Sequence, residues 1–118
     1  MTHFYRGFTE LGGERVVMAD DYPLEQCSKS TAVRKRGFNW GFMGVASRHL
    51  SLAILCDMFP ADLAQEHERD FCRQIIARID HPEFTLTEDF VCGWLTARIG
   101  YDAVIRAVAW SEVEGGGG

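Results

Sequence analysis

With 118 residues, of which 47% are apolar and 25% charged, the chain can enclose one hydrophobic core but not two, and its composition excludes a disordered or fibrous protein. The formal net charge of −5 argues against direct nucleic-acid binding of the broad, sequence-independent kind, which gathers Lys and Arg to displace counterions. Four cysteines with no CxxC pair and four histidines without paired spacing predict no metal and no cofactor. The cysteines read instead as small buried hydrophobes in a reducing cytoplasm. Met1 leads into a polar segment, so no signal peptide is expected. No apolar run reaches the roughly 18 to 20 residues of a membrane span, and a cytoplasmic protein without membrane contact is expected.

In chain order, His3 to Phe8 alternates bulky and polar residues, Gly12-Gly13 supplies a turn, and Glu14 to Met18 forms a second strand, which together predict a hairpin. Asp20-Asp21-Tyr22-Pro23 reads as turn or loop, and the polar stretch Leu24 to Val33 as loop. A basic triplet, Arg34-Lys35-Arg36, precedes a strand-like segment in which Phe38, Trp40 and Phe42 share one side. Helix formation is predicted over about 47–59, with Ser47 as N-cap and apolar residues around nearly the whole circumference, the pattern of a buried central helix.

Pro60 ends that helix. Leu63, His67, Phe71, Ile75 and Ile79 then mark the apolar stripe of a second helix, and Asp80-His81-Pro82 breaks the chain. Phe84 to Leu86 extends briefly. Thr87-Glu88-Asp89 caps a third helix with Phe90, Val91, Trp94, Leu95 and Ile99 on its apolar side and Gly100 at its end. A last helical piece starts at Tyr101-Asp102. The fold class is therefore α+β: a small antiparallel N-terminal sheet of about three strands on three or four C-terminal helices, one domain over 1–114 with a flexible glycine tail at 115–118.

Tyr5-Arg6-Gly7, Val16-Val17, Phe38-x-Trp40-Gly41-x-x-Gly44, Leu50-x-Leu52-Ala53-Ile54-Leu55 and Phe84-x-Leu86-Thr87-Glu88 occur in an order and spacing that resemble DUF6166, a family of small bacterial, phage and plasmid proteins of unknown function. The resemblance runs from about residue 4 to residue 99. Family members carry a Ser/Thr-Gly-Pro-Ala segment after WGxxG, whereas this chain has Val45-Ala46-Ser47-Arg48. The resemblance implies no activity. It implies a setting of mobile elements, in which small proteins often antagonise host defence, anti-CRISPR proteins included.

Two candidate sites emerge from the residues. Arg34, Lys35 and Arg36 with Gly41, Gly44 and Ser47 would join guanidinium groups to a glycine-bearing helix entrance, a combination that holds phosphate or another anion. The same residues admit a plainer reading, in which the glycines allow strand and helix to pack closely and the triplet is solvated; no known phosphate loop is matched. Tyr5, Tyr22 and Trp110 are candidates for a partner interface or a homodimer contact. Acidic residues on the second helix interleave with arginines, so they read as a mixed solvated face more than as a nucleic-acid mimic. His67, and Cys27 or Ser47 with His49, lack an assignable catalytic partner, and no enzyme is expected. The expected function is a non-enzymatic inhibitor that occludes a host protein, such as a CRISPR effector or another defence complex. The alternative is a protein that sequesters a nucleotide or another small anion at Arg34 to Ser47.

Overall fold

A computed structural model describes residues 3–25, 37–100 and 102–104. Cys27, most of the loop predicted over 24–33, the triplet Arg34-Lys35-Arg36, Tyr101, Trp110 and the glycine tail lie outside the described residues.

Strands β1 (Phe4–Thr9), β2 (Arg15–Ala19) and β3 (Tyr22–Pro23) are followed by helices α1 (Val45–Met58) and α2 (Ala61–Gln74), a 3-10 turn (Ile76–Arg78), strand β4 (Phe84–Thr87) and helix α3 (Glu88–Ile99). The sheet order is β3-β2-β1-β4, with every pair antiparallel. The α+β architecture is as expected, but the sheet has four strands where about three were predicted. Tyr22-Pro23 continues as a two-residue edge strand after the Asp20-Asp21 turn, a position that tolerates Pro because its missing N–H faces no strand among the described residues. Asp20 turns the chain at φ 51°, and its carboxylate accepts from the N–H groups of His3 (3.0 Å) and Phe4 (3.1 Å), which ties the turn to the start of β1.

β4 comes from the C-terminal half and pairs with β1, placing Tyr5 opposite Leu86 and Gly7 opposite Phe84. On the other side of β1, Tyr5 meets Ala19 and Gly7 meets Val17. These residues line the inner face. Tyr5 is fully buried and its hydroxyl donates to Asp57 of α1 at 2.7 Å, fastening sheet to helix.

The strand predicted around Phe38, Trp40 and Phe42 does not form. The N–H of Trp40 donates to the side chain of its neighbour Asn39 at 2.8 Å, and Gly41 turns the chain at φ 91°. The alternation consequently fails: Trp40 is buried, Phe38 half-buried and Phe42 exposed. Helix α1 starts at Val45 with Gly44 as N-cap, so Ser47 is not the cap but a fully buried residue of the first turn.

α1 is the central helix, with Leu50, Ala53, Ile54 and Leu55 all buried. α2 covers it with Ala64, His67, Phe71 and Cys72, and ends at Gln74, earlier than its apolar stripe predicted. The carbonyl of Ile76 accepts from Gly41 N–H at 3.0 Å, and the chain there tightens into the 3-10 turn. Thr87 caps α3 as expected, its hydroxyl accepting from Phe90 N–H at 3.1 Å, and Gly100 ends the helix at φ 93°. Phe90, expected on the apolar side, is exposed, while Val91 and Leu95 fill the core. Cys72 and Cys92 are free thiols, whereas Cys56 is disulfide-bonded, which departs from the reading of all four cysteines as reduced. Among the described residues no helix is long and apolar enough to cross a membrane.

Candidate ligand cleft

A cleft of about 790 Å³ opens where the β1–β2 turn, the segment Gly37–Phe42 and the turn Ile79–Pro82 meet, with Ala46 of α1 at its edge. Its floor is Trp40, held from several directions. The indole N–H donates to the carbonyl of His81 at 2.8 Å, and the edge of Phe84 abuts the ring with centroids 4.8 Å apart. The guanidinium of Arg15, another lining residue, lies 4.5 Å over the ring centroid. Its Nη1 donates to Asn39 Oδ1 and to the carbonyl of Trp40, both at 3.0 Å. Glu14, Asp80 and His81 supply the remaining charge or potential charge around the rim, and Asp80 lies 3.3 Å from His81.

Of the residues predicted to hold an anion, the structure brings Gly41 into this cleft. Its amide is committed to Ile76, and a Cβ there would lie 2.9 Å from the carbonyl oxygen of Ile79, so the glycine serves a close backbone approach. Gly44 sits at the α1 entrance with extended backbone. Ser47 is not among the lining residues; it is buried, and its Oγ has no hydrogen-bond partner among the described residues. The triplet precedes Gly37, a lining residue, directly in sequence. Of the predicted interface residues, Tyr5 is 0% exposed and belongs to the core, a correction that follows from its inward register; Tyr22 is 76% exposed.

Sequence reasoning missed Arg15, read only as one residue of the second strand, Glu14 to Met18. Its importance lies in contact with Trp40, 25 positions away, and spacing carries no signal of that. The Asp80–Pro82 wall was likewise legible only as a break.

Among the described residues the other chemical candidates do not assemble. Ser47 Oγ and His49 Nδ1 each lack a partner among the described residues, so the two do not hydrogen-bond to each other through Nδ1, and Cys27 lies outside the described residues. His67 Nδ1 accepts from Arg98 Nε at 3.4 Å, and Arg98 stacks on Trp94 and pairs with Asp70. Burial pushes the Cys72 thiol up to about 11, with Glu68 acting in the same direction and Arg48 against it, and burial raises Cys92 as well. Neither is a ready nucleophile at neutral pH. On α2, Glu68 pairs with Arg48, and Asp70 with Arg73 and Arg98. Among the described residues no group of three or more His, Cys, Asp or Glu could hold a metal.

The fold and site define a small α+β domain with a cation-on-aromatic cleft beside its sheet. Residues 5–97 match the model described as "Family of unknown function (DUF6166)", and the chain belongs to that family. No curated protein and no solved structure matches it.

Proposed function

We propose that this protein works by binding and not by catalysis, and that its partner is another protein engaged at the cleft and its rim. The observation that carries the reading is the juxtaposition of the cleft with three exposed apolar side chains, Phe42, Met43 and Val45, at the α1 entrance. Aromatic and Met side chains beside a pocket lined by an arginine have the make-up of an interface centre. The mobile-element setting that the family resemblance implies makes a host defence complex, a CRISPR effector among them, the partner class to test first, with inhibition by occlusion as the mode of action.

Affinity capture from bacterial lysate with the tagged full chain tests this. A stoichiometric partner recovered by the parent protein and lost with Phe42→Glu supports the proposal. Recovery of none, or of one retained by Phe42→Glu, contradicts it. The second reading, a small-anion binder, is favoured by Arg15 in the cleft lining and by the basic triplet that directly precedes Gly37 in sequence. Thermal shift against a nucleotide panel separates the two, a rise lost in an Arg34→Ala, Arg36→Ala double variant supporting sequestration.

A further inference from the structure

Arg15 differs from every other arginine among the described residues: it is half-buried where Arg6, Arg48, Arg69, Arg73, Arg78 and Arg98 are exposed. Arg48, Arg73 and Arg98 each pair with a carboxylate, yet Arg15 has none within ion-pair distance among the described residues. Its hydrogen bonds go to neutral acceptors, Asn39 Oδ1 and the Trp40 carbonyl, and both use Nη1. The opposite edge, Nε with Nη2, makes no hydrogen bond to a described residue. Residues 26–36, which directly precede Gly37 in sequence, contain no Asp or Glu. Glu14 and Asp80 share the cleft without pairing with this partly buried guanidinium, and its planar Nε–Nη2 edge matches a carboxylate in two parallel hydrogen bonds.

We infer that the Arg15 edge is a receptor for a single carboxylate whose attached apolar or aromatic group lies against Phe38 and Phe42. A carboxylate is favoured over phosphate because Glu14 and Asp80 already line the cleft, and a dianion would meet both. This inference rests on the cleft being the binding site. A free small acid and an acidic side chain of the partner protein both supply such a carboxylate, the chemistry at Arg15 being the same.

Calorimetric titration of the full chain with phenylacetate, phenylacetamide, inorganic phosphate and the blocked peptide acetyl-Phe-Glu-amide tests the assignment. Phenylacetate or the peptide should bind at least about tenfold more tightly than phenylacetamide and phosphate. Preference for phenylacetate points to a free acid and preference for the peptide to a partner side chain. Arg15→Gln should remove the distinction between acid and amide, and Arg15→Lys should restore part of it. The parent protein's own acid-to-amide ratio decides the matter if either variant folds poorly. Equal affinity for acid and amide, or no binding of phenylacetate and of the peptide alike, overturns the carboxylate assignment. If partner capture still depends on Phe42 in that case, the cleft remains the binding site and the error lies in the ligand class alone.

Discussion

The ring of Phe84 occupies the space above Gly7: a Cβ built on residue 7 would lie 2.1 Å from Phe84 Cε2. The two residues are register partners across β1 and β4, and the same ring braces Trp40, over which Arg15 lies. A residue without a side chain in β1 thus sets the position of the cleft floor. Gly7→Ala should cost about 1–3 kcal/mol by overpacking, read from urea unfolding. In a Phe84→Ala background the same change should cost much less, because the clash is gone; equal costs in both backgrounds would show that the two sites are independent.

Gly41 and Gly44 occupy similar places in the WGxxG segment but should respond differently to Ala. Gly41 combines φ 91° with a Cβ position 2.9 Å from the backbone oxygen of Ile79, so Gly41→Ala should cost at least about 1–2 kcal/mol and shift Trp40 fluorescence. Gly44 has extended backbone, and a Cβ there would meet the exposed ring of Phe42, which can move aside. Gly44→Ala should therefore be the milder change in the same unfolding assay.

Tyr5→Phe removes the hydroxyl that joins β1 to Asp57 of α1 at 2.7 Å. Because the acceptor is an exposed carboxylate that water can resolvate, the expected loss is about 1–2 kcal/mol, with little change in the shape of the core. A shift in denaturant midpoint at constant slope is the predicted signature.

Cys72 makes a pH prediction. Its thiol is held up to about 11 in the folded state, against an ordinary value of 9.0, chiefly by burial and secondarily by Glu68. The folded protein therefore binds this proton more tightly than the unfolded chain does. The corresponding stability is fully present below about pH 9 and is lost as pH rises through about 11. Unfolding free energy should fall across that interval in the parent and fall less in Cys72→Ala. Labelling of Cys72 by a thiol reagent at pH 8 should track unfolding only.

The elements governed by local pattern were legible in the sequence. The Gly12-Gly13 hairpin, the Thr87 cap and the burial of Leu50 to Leu55 each follow from spacing and turn chemistry. The Phe38–Phe42 segment was misread because its alternation is that of a strand, while a local bond from Trp40 N–H to Asn39 and the positive φ of Gly41 bend the backbone away from a ladder. The cleft was half visible. Gly41 marked its location, but Arg15 and the Ile79–Pro82 wall reach it only through the tertiary fold, which no periodicity encodes.

The most direct test of the account is the position of the binding site in solution. Three tryptophans give three indole N–H resonances, and that of Trp40 is bound to the carbonyl of His81 in the cleft wall, whereas that of Trp94 is bound to Gln74 between α2 and α3. On titration of the full chain with phenylacetate, followed by 1H–15N correlation spectra, the Trp40 indole and Arg15 Nε resonances should move together and saturate while that of Trp94 stays in place. Movement at Trp94 with none at Trp40 would contradict the cleft as the site.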